Sequence, residues 1–179
     1  MSFDLFFQPC RYGRKPVKRK NPFTGADNLI LPTEPLTAAE LKAVRAVLKK
    51  AGGQPDDGGS YLVEFEDGGG AEVIVTDLAE GCMVAVGSLT PDLLGFLADL
   101  LRAGNWALLP AMDGDIAITV SPDSVKNAPD DFPEVVTCDS ADDLGVLLGD
   151  GFKAWKKYRD RVTRKASRVG TGKKPPRKR

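Results

Sequence analysis

The hydrophobic and polar positions along this chain change period several times, and each change predicts an element. Phe3, Leu5 and Phe7 fall on one side of a two-residue period, with Asp4, Phe6 and Gln8 on the other, which predicts a strand over 2–8. Leu41, Val44, Val47, Leu48 and Ala51 recur at helical spacing behind Thr37-Ala38-Ala39-Glu40. That tetrapeptide is a capping box, in which the hydroxyl and the carboxylate satisfy orphan backbone donors reciprocally, and Gly52-Gly53 stops the helix. Residues 61–66 and 71–76 read as a hairpin around Asp67-Gly68-Gly69-Gly70. The clearest segment runs over 82–110. A strand at 82–87 leads to Thr90 as N-cap and Pro91 at the first helical position. The helix that follows is apolar over more than half its circumference and stops at Gly104, before the apolar run Trp106-Ala107-Leu108-Leu109.

Residues 115–120 pair in this reading with 106–109 across Met112-Asp113-Gly114, and 134–138 form a last short strand. Ser140-Ala141-Asp142-Asp143 opens a third helix. Leu144, Leu148, Phe152, Trp155, Tyr158 and Val162 keep helical spacing to about residue 166, as one long helix or as two broken at Gly149-Asp150-Gly151. Leu36-Thr37 and its helix resemble Leu89-Thr90 and its helix. Either the chain holds two tandem β-α-β-β units, over 1–77 and 82–120, or good caps simply look alike. The expected fold is a single α+β domain over 1–166. An antiparallel or mixed sheet of six or seven strands is packed by two or three helices, with a C-terminal strand and long helix at 134–166 and a disordered basic tail at 167–179.

Charge changes this picture. The net charge is zero, but residues 1–20 carry +5, 21–52 carry +1, 53–151 carry −18 and 152–179 carry +12. Residues 11–20 read as a basic loop, and Asn21-Pro22-Phe23-Thr24-Gly25 as a turn. Two surfaces follow. An acidic one, with Asp56, Asp57, Glu64, Glu66, Asp113 and Asp115 as candidates, would bind a basic protein partner. A basic one, from Arg11, Arg14, Lys15, Lys18, Arg19 and Lys20 in the arm and Lys173, Lys174, Arg177, Lys178 and Arg179 in the tail, would track a phosphate backbone. Tyr12, Trp155 and Tyr158 lie among the basic residues, where aromatics can stack on bases, although Phe152, Trp155, Tyr158 and Val162 form a stripe that reads first as core.

Reactive chemistry is sparse. The chain contains no histidine, so a general base would be a carboxylate, and each Asp pair sits in a turn, a loop or a helix start where Asp serves the backbone. No G-x-S-x-G elbow and no phosphate loop occurs. Cys10, Cys82 and Cys138 form no CxxC and read as reduced thiols of a cytoplasmic protein, with Cys82 packing as a small hydrophobe. No metal, cofactor or membrane span is expected, and the short apolar start lacks the basic lead of a signal peptide. The opening Ser2-Phe3-Asp4-Leu5-Phe6-Phe7, the Asn-Pro-Phe-Thr-Gly turn and the closing Phe152-Lys153-Ala154-Trp155 with Tyr158-Arg159-Asp160-Arg161-Val162 resemble small bacterial α+β proteins of the polymorphic-toxin immunity type. That resemblance implies a non-enzymatic inhibitor of a protein partner. The alternative reading is a nucleic-acid-associated protein acting through arm and tail.

Overall fold

A computed structural model describes residues 2–21, 23–56, 58–112 and 115–170, with side chains to residue 163. Asp57, Asp113, Lys173, Lys174, Arg177, Lys178 and Arg179 lie outside the described residues. The order of elements is β1 (Phe3–Gln8), β2 (Cys10–Arg11), β3 (Val17–Lys20), β4 (Asp27–Ile30), α1 (Ala38–Lys50), β5 (Gln54–Pro55), β6 (Tyr61–Glu64) and β7 (Gly70–Ile74). It continues with β8 (Cys82–Val86), α2 (Pro91–Gly104), β9 (Ala107–Pro110), β10 (Ile116–Thr119), β11 (Val125–Lys126), β12 (Glu134–Thr137) and α3 (Ala141–Gly170).

Eight strands form one mixed sheet in the order β12-β10-β9-β1-β8-β7-β6-β5, and only β10 with β12 is parallel. It contains the seven strands expected from the period, joined at one edge by the two-residue β5. The first strand of the chain lies in its middle. β1 pairs antiparallel with both β8 and β9, so β8 and β9 run parallel with β1 between them and α2 as the crossover. The two units suggested by the similar helices therefore share one sheet and interleave, because β1 of the first is the strand that completes the second.

The three helices cover one face. Phe3, Leu5 and Phe7 of β1 and Val84 and Val86 of β8 share a core with Val44 and Leu48 of α1, six residues of α2, and Leu144, Leu148 and Trp155 of α3. Helix α2 is apolar over more than half its circumference and lies between α1 and α3, and so it is the most buried of the three. The capping box at Thr37 and Glu40 forms as expected, and Gly52 takes a left-handed φ of 77° just beyond α1. Helix α3 is continuous through Gly149 and Gly151. Its backbone stays helical to Gly170, past the expected end.

Two expectations are corrected. Residues 11–20 are not a plain loop. Cys10–Arg11 pairs with β11, and Val17–Lys20 pairs with β4 to form a separate two-stranded ribbon closed by the Asn21 turn. A polar, fully exposed strand has no hydrophobic period to announce it. Thr90 does occupy the N-cap of α2, but its side chain does not cap the helix. The Asp67 carboxylate, from the β6–β7 turn, accepts from the Asp92 N–H at 2.9 Å and from Thr90 Oγ1 at 3.0 Å.

Candidate functional site

The second face of the sheet is covered unequally. Over β9 and β10, the segment 121–133 and the β2–β11 pair bury Cys10, Ala107 and Ala117 together with Tyr12, Leu109, Val125 and Phe132. Over β1, β8, β7 and β6 no helix lies on this face among the described residues. Alternation turns Phe6, Met83, Ala85, Glu72, Ile74, Leu62 and Glu64 outward here, and all of them are exposed or half-buried. The pairing register aligns Ile74 with Met83, Met83 with Phe6, and Phe6 with Leu109. An apolar row thus crosses four strands, with Phe6 41% exposed at its centre.

Charge frames that row. Leu62, Glu72, Ala85 and Asp4 form the adjacent register row, and Glu64 lies beyond it on β6. At the opposite end Asp77 and Glu80, with Ile74 and Met83, line a shallow depression of about 300 Å³. The eight strands contain four carboxylates (Asp4, Glu64, Glu72 and Glu134) and not one lysine or arginine. In such a field a cation is attracted from every side.

The acidic residues singled out from the sequence divide. Glu64 lies on the open face, and Glu66 is exposed in the turn that follows β6. The Asp56 carboxylate is occupied by the backbone N–H groups of Gly58 and Ser60, both at 2.8 Å, and serves its turn. Asp115 is exposed at the start of β10, five strand spacings or about 24 Å from β6. Asp4 and Glu72, which complete the frame, carried no signal in the sequence. Their place depends on which strands pair.

The basic residues divide too. Arg11 does not face solvent as a free cation. Its guanidinium grips the Glu40 carboxylate and is 14% exposed. Arg14, Lys15, Lys18, Arg19 and Lys20 are all exposed, and among the described residues none of the five makes an ion pair. Tyr12 packs edge-on against Phe132 with ring centroids 5.9 Å apart, so it anchors the arm instead of stacking on a base. In α3, Trp155 is buried and Phe152 meets Phe3 edge-on at 5.5 Å, as a core stripe should. Tyr158 is 43% exposed, with the Arg161 guanidinium 5.5 Å from its ring centre.

A second groove, of about 270 Å³, lies between the end of α1 and the start of α2. Phe65 and Phe96 line it, with Asp92, Asp99 and Lys50 at its rim. It contains no thiol and no hydroxyl nucleophile. The three cysteines are buried elsewhere, and burial pushes the Cys10 thiol up to about 11 and the Cys82 thiol up to about 12. Both would stay protonated at neutral pH, the unreactive form. Among the described residues no three His, Cys, Asp or Glu side chains gather as metal ligands. Among them, too, no helix is long and apolar enough to cross a membrane. No protein-family model matches the chain, and no match to it was found among the curated proteins or the solved structures.

Proposed function

We propose that this chain is a non-enzymatic bacterial interaction module, an inhibitor of the immunity type, that binds a cationic protein partner across the open half of its sheet. The observation that carries the reading is the apolar row Ile74, Met83 and Phe6, which runs to Leu109 at the covered edge and is framed by Asp4, Glu64 and Glu72 in a sheet without a basic residue. Each apolar contact made there contributes about 25 cal/mol per Å² removed from water, while the carboxylates speed encounter and reject acidic competitors. A protein that grips phosphates must expose cations around a partly apolar surface, and that surface is the complement of this one.

The test is capture of the partner on the immobilised full chain at low and high salt, beside a variant carrying Glu64→Lys and Glu72→Lys. A basic protein should be retained at low salt, released as salt rises and lost from the variant. Retention of the same protein by the variant, or no retained protein at all, would end this reading.

A further inference from the structure

The β3–β4 ribbon carries charge of the opposite sign to the open face and stands apart from that sheet. Seven of its eight strand residues are exposed, and the eighth, Ile30, is half-buried. Its base is fixed to the body. Arg11 is clamped to Glu40 at the start of α1, and the Tyr12 N–H donates to the Lys126 carbonyl at 2.8 Å. Asn127 Nδ2 donates to the Tyr12 carbonyl at 2.9 Å, and Gly13 N–H to the Pro32 carbonyl at 2.8 Å. Beyond that base stand Arg14, Lys15, Lys18, Arg19 and Lys20 against one carboxylate, Asp27.

Hydrogen bonds tie Asn21 to Phe23, Thr24 and Ala26 at the tip, yet an aromatic ring there faces water. Asn21 Oδ1 accepts from the Phe23 and Thr24 N–H groups at 2.9 and 3.1 Å, and Asn21 N–H donates to the Ala26 carbonyl at 2.8 Å. Phe23 on this closed turn is 95% exposed. An isolated phenyl ring held out by a hydrogen-bonded turn contributes nothing to the fold. It is placed to enter something else.

We propose that this arm binds double-stranded DNA, with its cations on the phosphates and Phe23 wedged between base pairs from the minor groove. Proteins that bend DNA insert apolar side chains in this way, and the ribbon supplies the flanking cations that hold such a wedge in register. A single-strand binder would offer a succession of aromatic platforms, whereas this ribbon has one ring, at its end. An A-form RNA duplex has a wide, shallow minor groove that gives so narrow an element no walls. The acidic body does not prevent the contact. Four strand residues span about 13 Å, more than the ~8 Å over which charges are screened at physiological salt. Its carboxylates instead confine phosphates to the arm.

Fluorescence anisotropy of the full chain with a labelled DNA duplex tests the proposal. Five phosphate contacts predict a log–log salt slope of about −4 to −5. Replacing Lys18, Arg19 and Lys20 together with Ala should weaken binding about 100-fold and reduce the slope by about 3. Phe23→Ala should leave the slope unchanged, weaken binding about tenfold, and abolish the bend read by energy transfer between the duplex ends. Binding that the triple substitution does not weaken would lie outside the arm and overturn the proposal. So would absent binding, or single-stranded DNA or duplex RNA bound as tightly as duplex DNA.

Discussion

Arg11 and Glu40 hold each other across 29 residues of sequence through two parallel hydrogen bonds, Nη1 to Oε1 at 2.7 Å and Nη2 to Oε2 at 3.0 Å. The same Oε2 accepts from the Thr37 N–H and from the Thr37 hydroxyl, each at 2.8 Å. One carboxylate thus closes the N-terminus of α1 and bolts down the base of the arm. The Arg11 guanidinium beside it, with help from the Thr37 donors, holds the Glu40 carboxyl down to about 2 from an ordinary 4.5, against a smaller opposing effect of burial. The folded-state value lies below the unfolded one. The stabilisation is therefore complete above about pH 4.5 and is lost as pH falls from there to about 2. Glu40→Gln should cost about 2 kcal/mol at neutral pH, lowering Tm by about 4–8 °C, with the gap to wild type closing towards pH 2. Calorimetry over this range checks it, and a gap unchanged down to acid would refute the pairing.

Helix α2 depends on a residue outside it. Asp67 receives hydrogen bonds from Asp92 N–H, Thr90 Oγ1 and its own Gly69 N–H. Asp67→Ala should therefore lower stability more than Thr90→Ala, the reverse of what the helix sequence alone suggests. Gly69→Ala should be worse than either local effect, because its Cβ would collide with Thr90 Oγ1 and lie 3.2 Å from Leu93 Cβ. Urea unfolding ranks the three, and hydrogen exchange at the Asp92 amide should accelerate in Asp67→Ala.

Trp155 fastens the second half of α3. It is 3% exposed, packed with Phe152 at 5.0 Å and Phe3 at 6.1 Å, and the Arg159 guanidinium stands 4.9 Å from its ring centre. Trp155→Ala should cost about 3–5 kcal/mol. Limited proteolysis should then cut α3 after residue 150 while the body persists. Equal resistance to protease in the variant would mean that the helix is held elsewhere.

The thiols report on packing. With Cys10 and Cys82 pushed to about 11 and 12 by burial, the native protein should react with a thiol reagent at pH 8 only as fast as it opens. Labelling followed by mass spectrometry should find all three cysteines unmodified until denaturant is added. Rapid modification of Cys82 would contradict its burial in the core at the start of β8.

What the sequence made legible was local. The Thr37–Glu40 box, the Pro91 start, the stop after Gly104 and the apolar girth of α2 are all settled within one or two turns of chain, so period and caps reveal them. The arm was hidden because Val17-Lys18-Arg19-Lys20 buries nothing and so alternates in nothing. The Asp67 cap was hidden because its partner is 25 residues away. The apolar row was hidden more deeply. Phe6 stands among the polar positions of its own strand, and only the register with Met83 and Leu109 makes it the middle of a surface.

The central position of β1 fixes the order in which the molecule can be made. Phe3 pairs with Val86 and Gln8 with Ala107, so this strand must wait for partners synthesised about 80 and 100 residues later. Until then Phe3, Leu5 and Phe7 have no sheet to enter. A chain stopped before β9 would leave a strand edge of β1 open to neighbouring molecules. Contacts of such long range make loop closure costly and folding slow, and they leave β1 in need of protection during synthesis. A circular permutant beginning at β8 would bring β1 into being after both of its neighbours, but it would also part β7 from β8, whose Ile74–Met83 pairing spans only nine residues, so the complete chain should refold more slowly.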